Sequence, residues 1–130
     1  MIAVDTSTWI AFLQGADGSD VRLLDRALAD QQVLMPPVVL TELLSDPKAA
    51  ADVAELLASL PLMEPDIGYW RRAGELRARA LKRRRKARLG DALIAQSCID
   101  GEVALLTRDR DFSAFEEAAG LKLSIARTRA

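Results

Sequence analysis

The chain has 130 residues, half of them hydrophobic and 28% charged, with 18 Lys/Arg against 19 Asp/Glu and a net charge of −1. That length suits one domain over residues 1–130, and the balance fits neither a disordered nor a membrane-embedded chain. Histidine is absent and Cys98 is the single cysteine, which excludes a Ser-His-Asp triad, an imidazole general base, His-ligated zinc and an intrachain disulfide.

The elements follow in chain order. Ile2-Ala3-Val4 is a short apolar run ending at Asp5 and predicts a buried strand. Asp5 and Thr6 suit the N-cap of a helix over Ser7 to Leu13. The cluster from Gly15 to Ser19 is a turn, and Asp20 to Asp30 carries Val21, Leu24 and Leu28 at helical spacing. Gln32 to Met35 is a second strand, stopped by Pro36-Pro37. Pro37 to about Ser45 and Ala49 to Ser59 predict two helices. Leu62-Met63 is a third short strand. Asp66 is placed to cap a long helix from Ile67 to about Lys86. Leu89-Gly90 breaks it, and Asp91 opens another helix through Ile99. Val103 to Leu106 is a strand ended by Thr107-Arg108-Asp109. Asp111 to Ala119 is the last helix, Gly120 its cap, and Leu121 to Ile125 the last strand.

Short apolar strands alternating with helices predict an α/β fold with a parallel sheet and helices on both faces. Ligands of such folds bind beyond the carboxyl ends of the strands. MIAVDTSTWI lacks the positive region and long apolar stretch of a signal peptide, and no apolar run approaches the ~20 residues of a membrane span. A reducing cytoplasm is the expected setting for a chain with one cysteine. Cys98, in the apolar run LIAQSCI, is expected to pack in the core, because no imidazole is present to activate it.

Several acids interrupt apolar runs. Asp5 follows Ile-Ala-Val, Glu42 lies between Val38-Val39-Leu40 and Leu43-Leu44, and Asp91 precedes Ala-Leu-Ile-Ala. Asp109 follows Ala104-Leu105-Leu106, with Asp111 two residues on. Burying carboxylates costs several kcal/mol unless they are paired or bind a metal. Each has a plainer reading as a helix cap, a turn residue or a surface acid. Location favours a shared role. Asp5 and Asp109 lie at strand ends, which a parallel topology places on one rim. Oxygen-only ligation would suit Mg²⁺ or Mn²⁺ rather than zinc.

The segments MIAVDTSTWI, VVLTELLS, RLGDALIAQSC and ALLTRDRDF, in that order, resemble a PIN-domain ribonuclease, and within that family the VapC-type toxins of toxin–antitoxin systems. The resemblance spans essentially the whole chain. It implies a three-layer fold with a central parallel sheet of about five short strands, in the order 3-2-1-4-5, flanked by helices. It implies a catalytic site of Asp5, Glu42, Asp91 and Asp109 binding Mg²⁺ (or Mn²⁺), with Asp111 contributing secondarily, the nearest contacts coming from Asp5 and Asp91. Thr6, Ser7 and Thr107 match hydroxyl positions that orient a carboxylate or a bound water. The implied reaction is hydrolysis of RNA (tRNA, rRNA or mRNA) by a metal-activated water, leaving a 5′-phosphate and a 3′-hydroxyl. The implied partners are a cognate VapB-like antitoxin and a second copy in a homodimer.

Residues 71–90 hold ten Lys/Arg and one acid, Glu75, a net +9 that leaves the other residues at −10. The run from Lys82 to Lys86 is too dense for ordinary helical charge pairing. Arg79, Lys82, Arg83, Arg84, Arg85, Lys86 and Arg88 are the candidate contacts to RNA phosphates, leading toward Asp91. Docking of an acidic partner is the alternative. Leu76, Ala80 and Leu81 are expected to face inward. Trp9 is expected in the core or in an antitoxin groove, and Trp70 beside Tyr69 in packing or a dimer contact rather than base stacking. Two other readings compete with a toxin nuclease: an RNA-processing PIN nuclease without an antitoxin, and a non-catalytic RNA- or protein-binding module. An aspartyl-nucleophile phosphatase is disfavoured, because Thr6-Ser7 follows Asp5 where a second acid would be needed.

Overall fold

The computed structural model describes residues 1–125. β1 (Ile2–Val4), β2 (Val33–Leu34), β3 (Ala104–Thr107) and β4 (Leu123–Ile125) form one parallel sheet in the order β2-β1-β3-β4. Among the described residues seven α-helices flank it: α1 (Thr6–Leu13), α2 (Ser19–Ala29), α3 (Pro37–Leu44), α4 (Ala51–Ser59), α5 (Tyr69–Lys82), α6 (Leu89–Asp100) and α7 (Ser113–Ala119). A 3-10 turn, Arg110–Phe112, leads into α7. Ala3, Val4, Leu105 and Leu106 are buried whichever way they point, as strands covered on both faces must be. They join Trp9, Leu24, Met35, Leu76, Ile94, Phe112 and Phe115 in one continuous core. Among the described residues no helix is long and apolar enough to cross a membrane.

The central pairing sets the register of the site. β1 and β3 run parallel with Val4 opposite Leu106. The residues that follow them, Asp5 and Thr107, therefore emerge side by side. The backbone confirms this, since Asp5 N donates to the Leu106 carbonyl at 2.9 Å.

Several expectations are corrected. The third strand, Leu62-Met63, shrinks to one parallel bridge between Leu62 and Met35 beyond β2. Pro36, Pro61 and Pro65 surround that bridge, and a proline has no N–H with which to extend a ladder. The expected strand order survives with its outermost member reduced to this contact. Asp66 does not cap α5. Gly68 occupies the cap in the left-handed region at φ 85°, and the Asp66 carboxylate instead accepts from Arg72.

α5 also ends at Lys82 rather than Lys86. Five consecutive cations would repel one another at helical spacing. The chain escapes through Arg84, whose φ is 57°. Leu89 and Gly90, expected to break a helix, are the first two residues of α6, with Arg88 as the extended residue before it. The buried stripe of α5 is Tyr69, Ala73, Leu76 and Ala80, whereas Leu81 faces outward at 47% exposure. Trp9 is fully buried, which places it in the core rather than in a groove, and Trp70 is exposed at 66%.

Leu105 lies at the centre of the sheet, opposite Ala3 and Leu123, and is fully buried. Leu105→Ala is expected to destabilise the fold by about 2–5 kcal/mol, read as a lower urea midpoint with little change in slope.

Candidate active site at the carboxyl rim of the sheet

The four expected acids arrive from four elements at the carboxyl end of the sheet. Asp5 is the N-cap of α1, Glu42 lies in α3, Asp91 is the third residue of α6, and Asp109 caps the 3-10 turn after β3. Capping and site-building coexist here. Asp5 accepts from Ser7 N at 3.3 Å, and Asp109 Oδ1 accepts from Asp111 N at 2.9 Å.

A network of hydroxyls fixes Asp5. Its Oδ2 accepts from Ser7 Oγ at 2.7 Å and from Thr107 Oγ1 at 2.9 Å, as well as from Ser7 N. Thr107 Oγ1 in turn accepts from Asp109 N at 2.9 Å, so one hydroxyl spans the two acids. Ser7 Oγ accepts from Arg108 N at 3.1 Å, closing the ring. Thr6 Oγ1 donates to Glu42 Oε1 at 3.2 Å. Thr6, Ser7 and Thr107 thus sit where they can orient carboxylates. Among the described residues neither Asp5 Oδ1 nor Asp109 Oδ2 accepts a hydrogen bond. Each acid has one oxygen held by the protein and one left over.

The acids feel one another. Burial pushes the Asp91 carboxyl up to about 6, and the charges of Asp5, Asp109 and Glu42 add to the rise, while Arg88 opposes it. This happens although Asp91 lies in a helical first turn, where the helix dipole favours the anion. The Glu42 carboxyl is also raised, by burial and then by Asp5, against the hydrogen bond from Thr6. Burial pushes the Cys98 thiol up to about 12, so it packs as an inert thiol.

Asp111 stands apart from the four, paired with Lys86 at 3.3 Å. Among the described residues no three carboxylates converge as a preformed ligand cage. The donor set nevertheless fits a hard divalent cation: oxygen-only ligands with spare lone pairs and mutual repulsion that a cation would relieve.

The basic segment divides into tied and untied side chains. Arg72 is bound to Asp66 and Asp100, and Arg77 Nε donates to the Ala87 carbonyl at 2.8 Å. Arg85 pairs with Glu117 and donates to Ser113 Oγ at 2.7 Å. Arg79, Lys82, Arg83, Arg84 and Arg88 make no side-chain bond among the described residues. Of the seven candidate RNA contacts, Arg85 and Lys86 also pin the loop to α7 and to the 3-10 turn. Beside Glu42, an open groove of about 480 Å³ is lined by Ile10, Leu13, Leu43, Val53 and Leu57.

Sequence reading passed over one ion pair at this rim. Arg108 binds Asp20 of α2 at 2.6 Å. The only sequence signal was a cation set directly between Thr107 and Asp109.

A PIN domain family model matches residues 2–118. Among solved structures, a DNA-bound VapBC from Salmonella typhimurium superposes with a TM-score of 0.74 at 18% identity, over 96% of this chain and 98% of that one. VapBC2 from Rickettsia felis, bound to a DNA fragment from its promoter, gives 0.72 at 19% identity over 98% and 100%. VapBC-5 from Mycobacterium tuberculosis gives 0.70 at 24% identity over 95% and 97%. At these identities the likeness establishes a shared fold.

The raised Asp91 carboxyl carries a stability consequence. The folded state holds its proton to about pH 6, against an ordinary value of 3.8. Stability therefore falls as pH rises through that window, and the loss persists above it. Asp91→Asn removes the charge. In the metal-free protein it is expected to raise stability at pH 7 by about 1 kcal/mol after solvent screening, a few degrees in Tm. The gain should shrink below about pH 4. Thermal unfolding in EDTA across that pH range checks it.

Proposed function

This chain belongs to the PIN-domain family, and on that premise we propose that it is a metal-dependent endoribonuclease acting as the toxin of a toxin–antitoxin pair. The observation that carries the reading is the gathering of Asp5, Glu42, Asp91 and Asp109 at one rim, where burial first and then the charges of the other three acids push the Asp91 carboxyl up to about 6. Four acids that share one rim, opposed at Asp91 by Arg88, are costly to a stable fold and useful to a cation site.

In this reading Asp5 and Asp109 present their unbonded oxygens, Asp91 completes the ligand set, and Glu42 stands beside Asp5 on the Thr6 hydroxyl. Asp111 contributes less directly, being engaged by Lys86. When bound, Mg²⁺ or Mn²⁺ would offset the charge of the scissile phosphate and acidify the attacking water. The chain's own residues perform the positioning. Thr107 spaces Asp5 from Asp109, and Ser7 keeps Asp5 Oδ2 turned inward. With no histidine in the chain, proton transfer falls to the carboxylates and to water. Arg79, Lys82, Arg83, Arg84 and Arg88 supply phosphate contacts on RNA. The named partners of the structural relatives support an antitoxin partner, and the apolar groove beside Glu42 is where it would reach the acids. A homodimer acting in the cytoplasm belongs to the same reading.

Purified protein is expected to cleave tRNA or rRNA with Mn²⁺ or Mg²⁺ and to stop in EDTA. Asp5→Asn and Asp91→Asn are expected to lose more activity than the roughly 10–100-fold that outer partners of a metal site typically cost. Asp91→Asn thus should gain stability and lose cleavage together. Cleavage that persists in EDTA, or full activity in Asp91→Asn, would remove the site assignment. Absence of cleavage by the wild-type protein alongside tight RNA binding would favour the non-catalytic module.

The charge reading has its own test. Replacing Arg79, Arg83 and Arg84 with Gln is expected to weaken RNA binding and flatten its log–log salt slope by about 2. An unchanged slope moves these residues to protein docking.

A further inference from the structure

Arg108 lies between Thr107 and Asp109, yet its side chain leaves the acidic rim. Its Nε donates to Asp20 Oδ2 at 2.6 Å and its Nη2 to Asp20 Oδ1 at 3.0 Å, a two-point guanidinium–carboxylate pair. Nη2 also donates to the Asp17 carbonyl at 2.6 Å. Asp20 is entirely buried on its side chain and accepts a further bond from Thr8 Oγ1 at 2.9 Å. Burial alone would raise the Asp20 carboxyl, but the hydrogen bonds from Arg108, Thr8 and Val21 N overcome it and hold it below the ordinary range. One cation thus ties α1, the start of α2 and the segment after β3 together.

The backbone around the pair is shaped for it. Gly18 has φ 154°, and a Cβ there would stand 2.4 Å from Arg108 Nη2 and 2.4 Å from Asp20 Oδ1. Apolar side chains could join α1 to α2 without desolvating a charge. They could not aim the backbone of residue 108. That backbone donates to Ser7 Oγ, the same oxygen that donates to Asp5.

We propose that Arg108, clamped by Asp20 in the space Gly18 leaves, is a positioning residue that sets Asp109 against Asp5 for cation binding. The proposal rests on the nuclease reading above. It assigns Arg108 no contact with substrate. The charge of the ion pair acts by pinning the short segment Thr107–Asp109, whose two ends both face the acids.

The test is Mn²⁺ affinity, measured on the folded protein by titration calorimetry, with thermal unfolding and RNA salt dependence alongside. Arg108→Met and Asp20→Asn are expected to weaken Mn²⁺ binding by about 10–100-fold, with Arg108→Lys, which keeps charge but not the two-point geometry, intermediate. Arg72→Met, which breaks the ion pairs to Asp66 and Asp100, is expected to leave Mn²⁺ affinity unchanged. If Arg108→Met fails to fold, Asp20→Asn and Arg108→Lys decide the question. Unchanged Mn²⁺ affinity with a lower Tm would reduce the clamp to a stabilising pair and overturn the proposal. Unchanged Mn²⁺ affinity with an RNA salt slope flatter by about 0.7 would make Arg108 a phosphate contact, and would overturn it too. A wild-type protein that binds no Mn²⁺ overturns the nuclease reading and the proposal together, whereas the first two outcomes overturn the proposal alone.

Discussion

The parallel pairing of β1 with β3 is the constraint on which the acidic rim depends. Both strands are short and apolar, so both must lie inside a sheet covered on its two faces. Their register, Val4 opposite Leu106, brings Asp5 next to Thr107 at the same edge. A shift by one residue would turn Thr107 to the other face and break the bond to Asp5. Everything polar at the rim then follows by short-range geometry. Ser7 is two residues from Asp5, Asp109 is two residues from Thr107, and their hydrogen bonds close on one another.

Electrostatics works against that arrangement. Burial raises the Asp91 and Glu42 carboxyls, the charges of Asp5, Asp109 and Glu42 add to the rise at Asp91 and that of Asp5 to the rise at Glu42, and Arg88 opposes it at Asp91. The fold tolerates the repulsion because the core beneath is continuous, from Trp9 and Met35 to Phe112 and Phe115. Other charges are arranged as struts. Arg108 with Asp20, Arg72 with Asp100, Arg85 with Glu117, and Lys86 with Asp111 each join segments distant in sequence. Most of these are at least partly exposed and contribute little to stability as isolated pairs. Asp20 is the exception, since its carboxylate is wholly buried and fully bonded. The basic segment therefore divides: part of it fastens the loop before α6, and part stays open toward solvent, with Arg88 acting on Asp91.

Chain order and periodicity carried the fold a long way. β1, β2, β3 and the helices around them lie where apolar runs and turn residues put them, because a parallel strand announces itself by an unbroken apolar run. The misjudged boundaries share a cause. Lys82 to Lys86 has helix-forming side chains, but mutual repulsion ends the helix. Leu89-Gly90 looks like a break, yet glycine costs little in a first turn. Leu62-Met63 has strand propensity but too many prolines around it to pair. Local preference misled where the deciding term was a neighbour in space or a missing donor.

Residue types alone excluded imidazole chemistry and a thiolate cluster and left carboxylates, hydroxyls, Lys/Arg, backbone groups or a metal held by oxygen. Apolar context then singled out Asp5, Glu42, Asp91 and Asp109 among the acids. Tertiary structure alone decided which oxygens are held and which are spare, which cations are tied down, and that Asp20, far from the rim in sequence, reaches it through Arg108. Composition and spacing act along the chain. Hydrogen bonds and charge coupling depend on distances that exist only once β1 and β3 are paired.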